Sequence, residues 1–327
     1  MRHEQAAVHM ADAYARASGE VGVALVTSGP GATNAVTGIA TAHSDSIPIV
    51  VISGQVASST IGTDAFQEVD MVGITRHCVK HNFLVKQVDG LANTIKKAFY
   101  LARTGRPGPV IIDVAKDVTQ ALHKFCYPQE QPFIRSYQPV IHAHKGQIKK
   151  AVQLFALAKR PVVFFGGGIV LANAEEELRR WIQLTGVPCI SSLMGLGAYS
   201  ASHPQFLGMV GMHGTYEANM AMQQADMVLA LGVRFDDRVI SVPEKYLATA
   251  KKIIHIDIDP SSIAKRVPVN VPIVGDIKLA LQAMTYQWEE KRLILDHKGL
   301  QCWWECIEQW RSCLLYTSPS PRDGLLS

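Results

Sequence analysis

The chain has 327 residues, of which 48% are hydrophobic and 18% charged, and its formal net charge at pH 7 is +4. This length and composition are those of a globular protein with room for two domains and large buried cores. The mild positive charge is spread along the chain and no apolar run is long enough for a membrane span, so we expect neither nucleic-acid nor membrane binding.

The first block of predicted elements runs over residues 1–117 and alternates apolar strands with helical patterns. Strands are predicted at 21–27, 48–53, 83–88 and 109–114, and helices at about 4–17, 32–43, 69–76 and 90–103. The strands are apolar along nearly their whole length, as expected for a parallel sheet with helices on both faces. The pattern predicts a doubly wound α/β domain.

A linker is predicted at 118–145, where Gln, Pro, His and Tyr are frequent and no periodicity is clear. A second doubly wound α/β domain follows at 146–287, and a helical connector at 288–312. The strands of this second domain are predicted at 161–166, 187–191, 226–232 and 252–259, and its helices near 147–157, 173–184, 215–224 and 277–287.

Both ends of the chain depart from this alternation of strands and helices. An amphipathic helix begins at the second residue with no strand ahead of it, which suggests an incomplete first domain. At the other end, the run CLLYTSPSPRD resembles the in-frame translation of a sequencing adaptor. We therefore expect residues 313–327 to lie outside the fold.

The six cysteines include no C-x-x-C pair, and the chain starts without the pattern of a secretory signal peptide. Both features are typical of a cytoplasmic protein with reduced thiols. His3 and His9 flank Glu4 at a spacing that differs from the H-E-x-x-H pattern of zinc-binding helices. We predict no metal site among these residues.

Several short motifs follow one another along the chain. The first block contains R-H-E-Q-A-A (2–7), T-S-G-P-G-A-T-N (27–34), S-G-Q-V (53–56), G-T-D-A-F-Q-E (62–68), G-R-P-G-P-V (105–110) and D-V-A-K-D (113–117). The second contains L-G-M-V-G-M-H-G-T-Y-E-A-N (207–219), G-V-R-F-D-D-R (232–238) and H-I-D-I-D-P (255–260). This ordered series resembles the large subunits of acetolactate synthases, a family of thiamine-diphosphate enzymes, over residues 2–312.

The resemblance implies a transferase that decarboxylates pyruvate and joins the product to a second pyruvate or to 2-ketobutyrate. That reaction is the first common step in the biosynthesis of valine, leucine and isoleucine. The implied cofactors are thiamine diphosphate, Mg²⁺ and FAD, and the implied assembly is a homodimer or tetramer with a small regulatory subunit. The family's G-D-G…N-N motif, which holds Mg²⁺ and the diphosphate, is not found in this sequence. We therefore expect a missing C-terminal domain and no activity of the 327-residue chain alone.

Glu4 is the residue on which the implied chemistry depends. A glutamate in the first turn of a helix is ordinarily a solvated residue favoured by the helix dipole. The resemblance gives it a catalytic role, in which its carboxyl group shares a proton with a ring nitrogen of the cofactor's aminopyrimidine. By the same resemblance, Gln67 is catalytic as an amide donor near the reacting centre.

The turn at Gly29-Pro30-Gly31 lies between a strand and a helix and lacks the Lys and Ser/Thr of a P-loop, so a nucleoside-triphosphate site is not predicted. The resemblance implies that the thiamine side of the active site is lined by Thr27, Pro30, Asn34 and Phe66. It places Lys116 at the mouth of the substrate channel.

The second domain is implied to be a Rossmann-like FAD-binding domain, although it has no G-x-G-x-x-G fingerprint. Arg234 and Arg238 suit the pyrophosphate because guanidinium groups bind phosphate with two hydrogen bonds. Asp257 suits ribose hydroxyl groups. The implied FAD contacts are Arg106, Gly166, Gly167, Gly168, His213, Gly214, Thr215, Gly232, Arg234, Asp236, Arg238, Asp257, Ile258, Gly275 and Asp276.

Alternative functions remain open from the sequence. Other thiamine-diphosphate enzymes, of the pyruvate oxidase or oxalyl-CoA decarboxylase type, share the general pattern. Glyoxylate carboligase would lack the active-site glutamate, so Glu4 argues against it. A catalytically inactive flavin-binding protein is the alternative outside the enzymes.

Overall fold

The computed structural model describes residues 1–247 and 251–312, which form two compact units divided between Pro139 and Val140. Each unit contains one parallel sheet surrounded by helices, which confirms the prediction of an α/β protein with two doubly wound parallel sheets. The run at 313–327 is not among the described residues. No helix in the described part of the chain has the length and apolar character needed to cross a bilayer.

Unit 1 is built on a four-stranded sheet in the order β1-β2-β4-β3. The strands are β1 (Gly22–Val26), β2 (Ile49–Gln55), β3 (His81–Val85) and β4 (Val110–Ala115). The helices are α1 (Glu4–Ser18), α2 (Pro30–Asn34), α3 (Val36–Asp45), α4 (Met71–Thr75), α5 (Leu91–Arg103) and α6 (Lys116–Gln120), with a 3₁₀ turn at Ser58–Thr60. Separate apolar clusters cover the two faces of the sheet, as a parallel sheet requires.

Local sequence explains where α1 begins and ends. His3 caps its first turn, because the Nδ1 atom of His3 accepts a hydrogen bond from the backbone N–H of Gln5. Gly19 ends the helix in the left-handed conformation that glycine adopts at little cost. This cap fixes Glu4 as the first residue of the helix, at the edge of the sheet where the strands end.

Unit 2 is built on a six-stranded parallel sheet in the order β7-β6-β5-β8-β9-β10. The strands are β5 (Pro161–Phe165), β6 (Cys189–Ser191), β7 (Phe206–Met209), β8 (Met227–Leu231), β9 (Lys252–Asp257) and β10 (Val271–Val274). The helices are α7 (Lys145–Phe155), α8 (Gly167–Leu171), α9 (Glu175–Thr185), α10 (Tyr216–Gln224), α11 (Pro243–Leu247), α12 (Ile277–Glu290) and α13 (His297–Ser312), with a 3₁₀ turn at Leu193–Gly195.

The chain enters the unit 2 sheet at its centre and winds outward twice. It passes from β5 to β6 and β7 on one side, and then returns to β8 on the other side of β5. Open sheets of this kind bind ligands at the carboxyl ends of the strands, where the winding direction changes. The candidate crevice of unit 2 is therefore the one between the ends of β5 and β8.

Several predicted elements differ from the structure. The helix predicted at 32–43 is divided into α2 and α3 at Ala35, whose N–H donates to the carbonyl groups of Ala32 and Thr33 in a tightened turn. The short elements α6, α8, α11, β7 and β10 were not predicted. Residues 121–139, part of the predicted linker, belong to unit 1, where Lys96 Nζ donates to the carbonyl groups of Pro128 and Glu130.

Candidate functional site

The candidate site of unit 1 lies at the carboxyl edge of its sheet. Thr27 follows the end of β1, and Lys116 follows the end of β4. Parallel strands end at the same edge of a sheet, so these residues share one side of the unit.

The carboxylate of Glu4 lies against the glycine-rich turn that follows β1. Its Oε2 atom accepts a hydrogen bond of 3.1 Å from Asn34 Nδ2. A β-carbon added to Gly31 would lie 3.2 Å from Glu4 Oε1 and 2.5 Å from Thr27 Cγ2. The structure thus brings together three of the predicted residues, Glu4, Thr27 and Asn34, around a position that only glycine can occupy.

The electrostatics of this cluster favour an ionised Glu4. The hydrogen bond from Asn34 and one from the backbone hold the pKa of the Glu4 carboxyl group below its usual value. Hydrogen bonds to the charged form of a carboxyl group have this effect, because protonation would weaken them. At neutral pH the side chain is therefore a hydrogen-bond acceptor held in a fixed position.

The loop that carries Phe66 and Gln67 packs on the same turn. Gly29 has φ of 61°, and a β-carbon there would lie 2.8 Å from both the Cβ and the carbonyl oxygen of Gln67. Gln67 itself has φ of 61°, an uncommon conformation for a residue with a side chain. Phe66 is 89% exposed, although large apolar residues are usually buried. The structure therefore places Gln67 beside the Gly29 turn and directs Phe66 into solvent.

A single buried side chain holds both ends of this loop, and the sequence analysis did not identify it. Gln55 Oε1 accepts from the N–H of Val56 at 2.8 Å, while Gln55 Nε2 donates to the carbonyl group of Val69 at 2.7 Å. Gln55 Nε2 also donates to Asp113 Oδ2 at 2.9 Å. We refer to Gln55 and Asp113 as the loop clasp. Gln55 and Asp113 lie in the S-G-Q-V and D-V-A-K-D motifs. The sequence does not give the register of β2 against β4, which brings the two side chains together.

Asp113 is a buried carboxyl group at the centre of the sheet. Burial raises its pKa, and the hydrogen bonds from Ser53 and Gln55 act in the opposite direction. Ser53 lies opposite Asp113 in the pairing of β2 with β4, and Ser53 Oγ donates to Asp113 Oδ1 at 2.7 Å. A buried carboxyl group is tolerated when it is hydrogen-bonded in this way.

Three other predicted residues of unit 1 are exposed or half-buried. Lys116 is exposed, and its neighbour Asp117 accepts hydrogen bonds from the N–H and hydroxyl groups of Ser58 at 2.8 and 2.5 Å. Arg106, predicted as an FAD contact, is half-buried, and its Nε atom donates to Ser46 Oγ at 2.8 Å. Pro30 is exposed at the first position of α2.

In unit 2, the predicted glycines meet at the crevice between β5 and β8. The N–H of Gly166 donates to the carbonyl group of Leu231 at 3.0 Å. A β-carbon on Gly168 would lie 2.6 Å from Gly232 Cα. These glycines allow the turn after β5 and the turn after β8 to pack backbone against backbone, whereas Gly167 faces the Met194 side chain.

The loops that carry His213 and Arg238 are also in contact. The N–H of Met212 donates to the carbonyl group of Arg238 at 2.9 Å, and Gly214 donates to Gly211 within the same turn at 3.0 Å. Arg234 and Arg238 are both exposed. The two second-block motifs thus form one surface at the carboxyl edge of the sheet.

Several of the polar side chains predicted to contact FAD form hydrogen bonds with backbone groups at this edge. Asp276 Oδ1 caps α12 by accepting from the N–H of Leu279 at 3.0 Å, and Thr215 caps α10. Asp236 Oδ1 accepts from the N–H of Arg238 at 3.1 Å, and Asp257 Oδ1 accepts from that of Asp259 at 2.8 Å. These carboxylates shape the loops of the crevice. The backbone of the remaining predicted residues continues this edge: Gly275 donates to the carbonyl group of Asp257, and Ile258 follows β9.

The carboxyl edge of unit 2 suits a ligand with both polar and apolar parts. Ser191 Oγ, at the end of β6, is buried and has no hydrogen-bond partner among the described residues. Leu193 and Met212, in the loops after β6 and β7, are 66% and 62% exposed. Guanidinium groups such as those of the exposed Arg234 and Arg238 bind phosphate with two hydrogen bonds. Within residues 1–247 and 251–312, no group of three or more His, Cys, Asp or Glu side chains could hold a metal ion.

Comparisons with known proteins give a consistent result. Residues 1–74 match the family described as thiamine pyrophosphate enzyme, N-terminal TPP binding domain, and residues 148–284 match thiamine pyrophosphate enzyme, central domain. The chain is 54% identical over 325 residues to the acetolactate synthase large subunit of Haemophilus influenzae, and equally to the isozyme 3 large subunit of Escherichia coli. Each alignment covers 98% of this chain and 56% of the relative.

A more distant relative extends the comparison. The acetolactate synthase of Mycobacterium leprae is 45% identical over 330 residues, which cover 100% of this chain and 52% of the relative. The chain thus spans a little over half the length of these curated relatives.

Proposed function

Because the chain belongs to the thiamine pyrophosphate enzymes, in the family of acetolactate synthase large subunits, we propose that it acts in acetolactate synthesis. The reaction is decarboxylation of pyruvate, followed by carbon–carbon bond formation with pyruvate or 2-ketobutyrate. The observation that supports it most directly is the ionised Glu4 carboxylate, fixed by Asn34 against the Gly29–Gly31 turn.

Thiamine diphosphate, when bound, supplies the carbanion chemistry of this reaction. Glu4 would hold the aminopyrimidine by sharing a proton with a ring nitrogen, a role that requires a carboxyl group. Asn34 keeps the carboxylate in position through Oε2. Thr27 and Pro30 would line the pyrimidine, Phe66 and Gln67 would approach the reacting atoms, and Lys116 would lie at the substrate channel.

FAD is the second cofactor that we propose, at the carboxyl edge of unit 2. Arg234 and Arg238 would bind its pyrophosphate, and the apolar side chains of Leu193 and Met212 would contact its ring system. The backbone at Gly166–Gly168, Gly232 and Gly214 would allow close approach. Unit 2 would then be the FAD-binding domain and unit 1 the pyrimidine-binding domain. We further propose a requirement for Mg²⁺, for which we assign no ligand in this chain.

The relatives named as large subunits suggest assembly with a small regulatory subunit. We propose the same partner here, together with a dimer or tetramer of the catalytic chain.

The experiment that tests the activity uses a chimera. Residues 1–312 replace their counterpart in the Escherichia coli isozyme 3 large subunit, whose 54% identity favours correct assembly. Acetolactate formation from pyruvate is then measured with thiamine diphosphate, Mg²⁺ and FAD present. We expect the chimera to be active, and the variant Glu4→Gln to lose about 10²–10⁴-fold in turnover, the usual contribution of a positioned proton donor or acceptor.

Glu20→Gln is the matched control, because it removes an equal charge from an exposed position just after α1. It should leave turnover unchanged. An inactive but folded chimera would argue against the proposed activity, and near-normal turnover of Glu4→Gln would argue against the role of Glu4.

A further inference from the structure

Asn219 makes two hydrogen bonds to one residue of the loop that carries His213. Its Oδ1 atom accepts from the N–H of Gly211 at 2.8 Å, and its Nδ2 atom donates to the carbonyl group of Gly211 at 3.0 Å. The side-chain amide therefore pairs with both polar groups of Gly211, as a neighbouring strand would. This pairing fixes the position and the orientation of the loop at that residue.

Gly211 is held equally closely from its other side. It has φ of 114°, and a β-carbon there would lie 2.6 Å from the carbonyl oxygen of Arg238. The same carbonyl group accepts from the N–H of Met212 at 2.9 Å. The loop is therefore fixed between Asn219 on one side and the backbone of the Arg238 loop on the other.

The helix does not need Asn219 for its own stability. α10 begins at Tyr216, and Thr215 caps it by accepting from the N–H of Ala218. Asn219 occupies the interior of the helix, where asparagine is less favourable than alanine by up to about 0.7 kcal/mol. Its two bonds to Gly211 are directed at the loop, so the loop is the part of the structure that benefits.

We propose that Asn219 is a positioning residue for FAD, which holds the His213 loop against the Arg238 loop before the cofactor binds. This inference rests on the proposed FAD site of unit 2. A loop that is already in its bound conformation loses less conformational entropy on binding, and so binds more tightly. Asn219 acts through Gly211 and needs no contact with the flavin itself.

The test measures the affinity of the 327-residue chain for FAD by titration of flavin fluorescence. We expect the dissociation constant to rise about tenfold or more in Asn219→Ala, since a loss near 1.4 kcal/mol corresponds to a factor of ten. Asn219→Asp keeps the acceptor for the N–H of Gly211 but loses the donor to its carbonyl group. We expect it to bind FAD more weakly than the parent while remaining folded, which covers the case in which Asn219→Ala does not fold.

Asn270→Ala is the matched control. Asn270 Oδ1 accepts from the N–H of Ile253 at 2.8 Å, so this asparagine also fixes a backbone group. It precedes β10 and therefore lies at the amino edge of the sheet, opposite the crevice. Loss of its bond should lower the midpoint of thermal unfolding without changing the FAD dissociation constant.

Three results would overturn the inference. Equal weakening by Asn219→Ala and Asn270→Ala would indicate a general loss of stability. Unchanged affinity in the Asn219 variants, beside a parent that binds FAD, would remove the role of Asn219 and leave the FAD site intact. A parent chain that binds no FAD would remove the FAD site and this inference with it.

Discussion

At the scale of single residues, His255 makes the stability of unit 2 depend on pH. The side chain is fully buried on β9, and its Nε2–H donates to the carbonyl group of Val233 at 2.9 Å. Its Nδ1 atom is buried and has no hydrogen-bond partner among the described residues. Burial lowers the pKa of His255 to about 4, although the bond to Val233 opposes the shift.

The direction of the effect follows from these values. The unfolded chain binds a proton at His255 below about pH 6.5, whereas the folded chain resists it until about pH 4. Stability is therefore complete above pH 6.5 and is lost as the pH falls towards 4. From pH 8 to pH 5 we expect unit 2 to lose about 2 kcal/mol of its free energy of unfolding.

Urea denaturation at pH 8 and pH 5, followed by tryptophan fluorescence, measures this loss. His255→Phe removes the proton site and should reduce the difference between the two pH values, while substitution of the exposed His142 by Phe should not. A pH difference that persists unchanged in His255→Phe would show that other groups cause it.

Residue identity could be predicted from the sequence more readily than residue surroundings. The motif around Glu4 predicts a catalytic role, but the hydrogen bond between Glu4 and Asn34 depends on how α1 meets the turn after β1. For Asp276 the sequence leaves the function of the carboxylate ambiguous. A carboxylate that caps a helix and one that binds a ligand look alike in a sequence, and Asp276 caps α12. Only the position of the next helix separates the two.

At the scale of elements, the loop clasp determines how the segment that carries Gln67 closes. In Gln55→Leu, Val56 and Val69 lose a shared partner, and the buried carboxyl group of Asp113 loses a donor. We expect a drop of about 1–3 kcal/mol in the free energy of unfolding of unit 1, the usual cost of an unsatisfied buried polar group. Amide exchange in 56–69 should also become faster.

Hydrogen exchange followed by mass spectrometry, together with urea denaturation, measures both effects. Gln87→Leu at an exposed position is the control and should change neither. Unchanged exchange in 56–69 of Gln55→Leu would mean that other contacts, such as Ser58 with Asp117, are sufficient to close the loop.

The predictability of elements followed their length and their apolar content. The strands β2, β4 and β8 can be predicted from their apolar runs, because both faces of these strands are buried. β7 and β10 have only four residues each, and they contain Gly208 and Pro272, which disfavour strands in isolation. The burial of an edge strand is also hard to predict. The apolar sequence of β1 favours burial on both faces, but Val23 and Leu25 are 48% and 74% exposed.

At the scale of the whole molecule, the two units have separate apolar cores, and unit 1 contains an accessible segment towards its carboxyl end. Residues 121–127 are exposed and contain Lys124. Proteases cleave preferentially in such segments. Among the described residues, we expect trypsin to cleave first after Lys124 and to leave two products that keep their secondary structure.

Mass spectrometry of the products and circular dichroism of the separated fragments check this expectation. Lys124→Gln should slow the first internal cleavage severalfold. First cleavage within a strand of either sheet, or loss of structure in both products, would contradict the independence of the two cores.

The winding of the unit 2 sheet has a consequence for how the protein is made. β5 is the first strand of that sheet to be synthesised, yet it ends at the centre, between β6 and β8. The side of Val162, Val163 and Phe164 that pairs with β8 has no partner strand until Val228, Leu229 and Ala230 have been synthesised. At about 5–20 residues per second the delay lasts roughly 3–13 s. For that time the nascent chain presents an apolar strand edge to its neighbours, so slow translation between β5 and β8 should favour misassembly in the cell.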